Sequence, residues 1–180
     1  MIQNPLWSIA RVLKRRLLFL EAPFFTDDYM RRYTRYLRSC GMDIAEYDEH
    51  GYIAPSVWFD SSEHYSLIKI GRAVTLSQDV VLLTHDYSIR NAINAFETNA
   101  SNTKYKFLKP IVIGDNCFIG ARTLILPGTT IGDNVIVGAG SVVKGELPKN
   151  TVWGGSPARQ LCVLEDFYKR HRSLNDYSVE

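Results

Sequence analysis

IGDNCFIGARTLILPGTTIGDNVIVGAGSVV, residues 113–143, repeats every six residues. Branched aliphatic side chains recur at Ile113, Ile119, Ile125, Ile131, Val137 and Val143. Four places after each comes a mostly small side chain, at Cys117, Thr123, Thr129, Val135 and Ser141, with Leu147 as the exception. Glycine takes the second place at Gly114, Gly120, Gly132 and Gly138. A period of six fits neither an α-helix nor a plain alternating strand. It fits a chain wound round a triangular prism, one short strand and one turn per hexad, three hexads per coil: a parallel β-helix. The aliphatic place and the small place share one face of the pleat and point inward. Burial of each Ile or Val contributes roughly 1.5–3 kcal/mol, and stacking on its copy one coil away gives a core that no single coil forms alone.

The same period runs upstream in fainter form. Ile70, Leu76 and Leu82 are six apart with Val74 and Val80 between them, and Ile53, Val57 and Phe59 extend the pattern backwards. Residues 61–67 fall out of register, which predicts a bulge. Between Ile89 and Lys109 the period vanishes into a polar, Asn-rich stretch, read as a long loop pushed out of the prism. Loops beyond about 12–15 residues are commonly functional. Outside the prism, residues 6–20 read as an amphipathic helix interrupted by Arg11, Lys14, Arg15 and Arg16. A second helix is expected over 26–38, capped by Thr26 with Asp27 and Asp28 in its first turn. A third is expected over 161–171. The chain thus divides into an N-terminal helical segment (1–50), a β-helix domain (51–160, with 89–109 extruded) and a C-terminal helix and tail (161–180).

The composition bounds the function. A chain of 180 residues with 46% hydrophobic and 22% charged residues is an ordinary globular protein. A net charge of +2 gives no basic footprint for nucleic acid. The three cysteines, Cys40, Cys117 and Cys162, are odd in number and lack metal-ligand spacing; with no cleavable leader pattern, reduced thiols and a cytoplasmic location are expected. No run of about 20 apolar residues predicts a membrane span. Arg31, Arg35 and Arg38 share one face of the second helix, which admits two readings: a solvated basic face, or peripheral contact with anionic lipid headgroups.

Of the histidines at 50, 64, 85 and 171, His85 ends an apolar strand, Val80–Thr84, where the prism gives way to the extruded stretch. A rigid strand end beside an opening suits a general base, the commonest task of imidazole near neutral pH. An orienting acid is needed. Asp60 and Glu63 lie one coil earlier and Asp86 is adjacent; Asp60 is favoured, with each of the three also readable as a solvated acid.

Leu83-Thr84-His85-Asp86-Tyr87-Ser88, followed after a loop by Lys109-Pro110-Ile111-Val112-Ile113-Gly114-Asp115-Asn116, resembles the hexapeptide-repeat O-acetyltransferases of galactoside, maltose and nodulation-factor type. Relatives that acetylate bacterial surface polysaccharides are closer still. The resemblance covers roughly residues 51–161. It implies an all-β, left-handed parallel β-helix, a hand that the repeat alone does not set and that departs from the usual right-handed crossover. It implies acetyl transfer from acetyl-CoA to a hydroxyl of a sugar in a surface polysaccharide or its precursor, with no metal required. His85 would be the base, and the Ala121 N–H after Gly120 the oxyanion donor. Ala139, between Gly138 and Gly140, would line the pantetheine groove. Gly155-Ser156-Pro157-Ala158-Arg159 resembles the family element whose basic residue meets the nucleotide, which assigns Arg159 to a phosphate. Relatives carry Thr-Lys where this chain has Lys144-Gly145, so Lys144 enters the cofactor set shifted by one place. Trp153 either stacks on adenine or closes the core. The family is homotrimeric, with sites between subunits, and the loop would reach over a neighbour's site. Three other readings stay open: a serine acetyltransferase-like enzyme, although about fifty residues are short for its helical domain; a γ-class carbonic anhydrase, which needs three converging histidines; and a non-catalytic β-helix binding or scaffold protein.

Overall fold

The computed structural model describes residues 26–60, 62–97 and 105–178, together with Leu13, Lys14 and Leu17. Leu13, Lys14 and Leu17 are helical, within the amphipathic helix expected over 6–20; its other residues and the Thr26 side chain that would cap the next helix lie outside those described.

The chain winds through short strands in a fixed rotation. The first coil holds β1 (Asp43–Ile44), β2 (Tyr52–Ile53) and β3 (Trp58–Phe59). After a 3-10 turn over Ser62–Leu67 come β4 (Ile68–Ile70), β5 (Thr75–Leu76) and β6 (Val81–Leu82). A two-stranded ribbon follows, β7 (His85–Asp86) and β8 (Phe107–Leu108). The winding resumes with β9 (Ile111–Ile113), β10 (Phe118–Ile119) and β11 (Leu124–Ile125), then β12 (Thr130–Ile131), β13 (Ile136–Val137) and β14 (Val142–Val143), and ends in β15 (Glu146–Leu147) and β16 (Thr151–Gly154). Parallel pairing collects these into three faces: β1-β4-β9-β12-β15, β2-β5-β10-β13-β16 and β3-β6-β11-β14. These are the flat sides of the prism, and the winding is the left-handed β-helix that the resemblance implied. The prism starts at Asp43 rather than residue 51, because β1 already pairs with β4.

The inward places are as the period requires. Ile53, Phe59, Ile70, Leu76, Leu82, Ile113, Ile119, Ile125, Ile131, Val137 and Val143 are all buried. The small inward hydroxyls are satisfied by nearby carbonyls: Thr123 donates to Gly138 O of the next coil (3.2 Å), and within their own coils Thr129 donates to Leu126 O (2.7 Å) and Ser141 to Gly138 O (2.5 Å). Buried polar groups of this kind tolerate the core only when bonded.

Glycine at the second place answers to close stacking in one coil and not in another. A Cβ on Gly120 would lie 2.4 Å from Ala139 N and 2.8 Å from Ala139 Cα, both backbone atoms. A Cβ on Gly138 would meet nothing nearer than Trp153 O at 3.5 Å. Gly120→Ala is therefore expected to destabilise by about 1–3 kcal/mol, the range for overpacking, whereas Gly138→Ala stays near wild type. Paired thermal melts check this; equal melting temperatures for both variants would contradict it.

Cys117 sits at an inward place, and burial pushes its thiol from the ordinary 9.0 up to about 11. The unfolded chain then loses this proton first as pH rises, so the contribution is intact below pH 9 and lost progressively towards pH 11. Two pH units of difference correspond to about 2–3 kcal/mol. Tyr47, raised to about 12 chiefly by burial and by its bond to Asp27, adds loss above pH 10. Alkaline unfolding curves of wild type against Cys117→Ser should converge as pH rises from 9 to 11, isolating the thiol's share.

Both ends of the core are covered. Helix α1 (Thr26–Ser39) buries Tyr29, Met30, Tyr33 and Leu37 against the first coil. Its arginines face outward: Arg38 pairs with Glu46 at 2.9 Å and Arg31 lies 5.8 Å from the Tyr47 ring centroid. At the other end β17 (Arg159–Val163) turns back antiparallel to β16, and α3 (Leu164–Leu174) follows. The last helix thus starts three residues later than the sequence predicts, since Arg159–Val163 complete a hairpin. Trp153 is half-buried against the core and donates its indole N–H to Thr151 Oγ1 at 2.8 Å, which closes the end of the stack. Among the described residues no helix is long and apolar enough to cross a membrane.

The extruded stretch is not a bare loop. It opens with α2 (Ser88–Phe96), a helix with no buried residue, so no core-facing period marks it in the sequence. The stretch leaves and rejoins the prism at one corner, where Lys109 N–H donates to Thr84 O at 2.9 Å.

Candidate active site

The corner after β6 is built on a buried carboxylate. Asp60 is 3% exposed and ends the strand stacked directly under β6, whose Phe59–Leu82 pairing sets the register. One oxygen, Asp60 Oδ2, accepts the Thr84 backbone N–H at 3.0 Å and the Thr84 hydroxyl at 2.5 Å. The same oxygen lies 2.5 Å from His85 Nδ1. An ionised carboxylate only accepts, so the bond places the His85 proton on Nδ1 and leaves Nε2 with its lone pair. The His85 side chain is 24% exposed, which gives that nitrogen access to a ligand. Its ring also meets Tyr87 edge-on, with centroids 5.1 Å apart.

Of the three acids considered, the geometry brings only Asp60 to His85. Glu63 is exposed on the 3-10 turn. Asp86 points away and accepts the Ser88 N–H at 2.7 Å; that amide, with the Ser88 hydroxyl, holds its carboxyl below the ordinary range.

Two residues not singled out from the sequence join the site. His64, buried on the 3-10 turn, presents Nδ1 to Asp60 Oδ2 at 3.5 Å, and its ring lies 5.4 Å from that of His85. Lys106, at the foot of the extruded stretch, places Nζ 3.0 Å from His64 Nε2. The spacing of Asp60 and His64, four apart across an interrupted strand, was the one available signal for the first.

Asp60, His64 and His85 offer ligand atoms within 4.8 Å of one another, a donor set of the kind that holds zinc. The surroundings do not fit such an ion. A neutral imidazole bound through Nδ1 carries its proton on Nε2, and His64 Nε2 faces the Lys106 ammonium, itself only a donor. His85 Nδ1 and Asp60 Oδ2 are also at hydrogen-bond distance, closer than two ligands of a tetrahedral cation. The third histidine that a carbonic anhydrase would need, His50, is exposed and bonded locally to Asp48.

Most of the residues assigned to the cofactor lie elsewhere. Gly120 and Ala121 stand at the corner between β10 and β11, and Ala139 stacks above them, with Gly140 N–H donating to Ala121 O at 2.8 Å. His85 stands at the next corner round the prism, so one chain does not bring base and groove together. Lys144 is on the His85 corner, exposed, in a cavity of about 310 Å³ lined by Asp86, Ser88, Phe107, Lys109, Leu126 and Pro127 as well. Arg159 is exposed at the start of β17, with its guanidinium donating to Ala158 O at 3.0 Å.

Known proteins are similar to this chain in sequence and in fold. The family model described as the hexapeptide repeat of succinyl-transferase matches residues 110–144. The galactoside O-acetyltransferase of Escherichia coli is 34% identical over 113 residues, covering 63% of this chain and 52% of that protein. Protein CapG of Staphylococcus aureus is 38% identical over 117 residues, covering 65% and 64%. The chain thus spans about half to two-thirds of the length of these relatives. Among solved structures, a hexapeptide-repeat acetyltransferase from Vibrio cholerae superposes with a TM-score of 0.59 at 26% identity, covering 86% of this chain and 91% of that one. A maltose O-acetyltransferase from Clostridium difficile gives 0.58 at 26% identity, covering 89% of each. By repeat, winding and relatives, the chain carries the hexapeptide repeat and has the left-handed β-helix fold of these acetyltransferases.

Proposed function

We propose that the protein transfers an acetyl group from acetyl-CoA to a sugar hydroxyl, with Asp60 and His85 as the base pair. The observation that carries this is the bond from His85 Nδ1 to the buried Asp60 Oδ2 at 2.5 Å, which leaves Nε2 as the acceptor of a proton. In the reaction Nε2 takes the hydroxyl proton as the sugar oxygen attacks the thioester carbonyl. The C–S bond then breaks, and the imidazolium returns the proton to the departing thiolate. Asp60 stabilises the imidazolium in between. The tetrahedral oxyanion is assigned to the Ala121 N–H. Arg159 and Lys144 are assigned to cofactor phosphates by charge-assisted bonds, and Gly120 and Ala139 to the groove for the pantetheine arm.

A homotrimer completes this site. Base and groove occupy neighbouring corners of one prism, and the face between them carries Trp58, Val81, Leu124 and Val142 in register on its outer side, with Trp58 half exposed. An apolar outer face suits burial against a second copy, and a closed ring of three brings the base corner of one subunit to the groove corner of the next. The sugar relatives named above support a glycan acceptor, with the extruded stretch helping to select it.

Thiol release from acetyl-CoA, measured across a panel that includes galactosides, maltose and polysaccharide fragments, tests the class. Acceptor-dependent release is expected; release with none of them, from correctly assembled protein, would sink the reading. In the same assay Trp58→Asp should yield monomers by light scattering and lose transfer together with assembly.

A further inference from the structure

The charge of the chain is spread unevenly. Eight of its 21 lysines and arginines fall within residues 1–40, against three of its 19 acids, so this segment carries +5 and the rest of the chain −3. Helix α1 holds four of the eight. Its buried side chains, Tyr29, Met30, Tyr33 and Leu37, fix its orientation on the prism, which leaves Arg31, Arg35 and Arg38 exposed on the opposite side. These three arginines line a hollow of about 180 Å³ together with Thr34, Glu46 and Tyr47. Glu46 is the one acid lining it, so three guanidiniums face one carboxylate. The Arg38–Glu46 pair is exposed, and such a pair is weak enough to yield to another anion. A second feature belongs to the same end of the molecule. Leu13 and Leu17, helical and four residues apart, are 56% and 63% exposed. Lys14, between them, holds Nζ 6.0 Å from the Tyr36 ring centroid, which sets this turn against α1.

We propose that the helical end of the prism is a docking surface for an anionic lipid bilayer. Headgroup phosphates meet Arg31, Arg35 and Arg38, and Leu13 and Leu17 enter the boundary between headgroups and acyl chains. Electrostatic attraction and buried apolar area add in such binding. Nucleic acid would offer the arginines the same phosphates but would leave two exposed leucines nothing to bury against. Helix α1 packs on the first coil, and Asp60 directly follows β3, the last strand of that coil. The base pair therefore stands nearer this end of the prism than the β17 end. A bilayer here would favour glycans carried on a lipid over free ones as acceptors; that consequence, and not the docking itself, rests on the acetyl-transfer reading.

The test is flotation of the full chain with vesicles of phosphatidylcholine alone and of phosphatidylcholine with phosphatidylglycerol. The protein should float with the second and not with the first. Most of that binding should be lost between about 0.1 and 1 M salt, as the Debye length falls from about 10 Å to about 3 Å. Arg31→Gln, Arg35→Gln and Arg38→Gln together should weaken partitioning on the order of 100-fold, roughly 5-fold per charge. The corresponding triple change to Lys keeps the charge and should keep the binding. Leu13→Gln with Leu17→Gln should weaken it about 10-fold at equal charge. All these positions are exposed, so thermal melts should match the wild type. Equal binding to the two vesicle types, undiminished binding by the glutamine variant at either set of positions, or tighter capture of duplex DNA than of the phosphatidylglycerol vesicles would overturn the proposal. Docking by a protein that transfers no acetyl group would fail the acetyl-transfer reading and leave the surface standing. Transfer to soluble acceptors by a protein that binds neither vesicle would do the reverse.

Discussion

His85→Ala is expected to reduce acetyl transfer by about 10²–10⁴-fold with the prism and its assembly unchanged. The ring is not part of the core: it stands a quarter exposed beyond β6, and its bond to Asp60 is the structural tie it would forfeit. Thermal unfolding and light scattering should match the wild type, so the loss belongs to chemistry. KM for acetyl-CoA should move little, because Gly120, Ala121, Ala139 and Arg159, assigned to the cofactor, lie away from the His85 corner, which Lys144 alone of that set shares. Full activity in a properly assembled His85→Ala protein would rule out base catalysis by this residue.

Asp60 should behave differently, because one oxygen serves catalysis and structure at once. Asp60→Asn keeps an oxygen for the Thr84 donors but removes the charge that stabilises the imidazolium. A fall in kcat of about 10²-fold or more is expected, with a melting temperature near wild type. Asp60→Ala also strands the Thr84 N–H and hydroxyl and the His85 N–H in a buried corner. Each orphaned group costs about 1–3 kcal/mol, and at this chain length each kcal/mol lowers the melting temperature by about 2–4 °C. Two variants, one losing rate and the other losing rate and stability, separate the roles. If Asp60→Asn retained wild-type kcat, the pairing would be structural only.

The prism was legible because a six-residue period exposes every inward place from Ile53 to Val143 at once, and register then follows from stacking. His85 was legible as the residue at which the period stops. Asp60 was legible only as one of three acids, since sequence gives the coil and not the direction of a side chain; Glu63 and Asp86 differ from it in pointing outward. His64 left only its four-residue spacing from Asp60, and Lys106 left no trace. One lies on a 3-10 turn that breaks the period, and the other is 42 residues from its partner, joined to it by a two-residue ribbon. Helix α2 was read as loop for a related reason: with no buried residue, it shows no face to the core. The first strand, Asp43–Ile44, escaped because its inward Ile44 stands nine residues before Ile53, outside the period of six.

The extruded stretch departs and returns through one bonded corner, from Thr84 to Lys109. Its length is therefore uncoupled from the winding above and below, and doubling it would add only about 0.6 kcal/mol of closure entropy. The stretch is a cassette. Descendants of such a chain can exchange it wholesale, while the coils that hold Asp60 and His85 are inherited without alteration. Only the two feet, Tyr87 and Lys106, would have to travel with it.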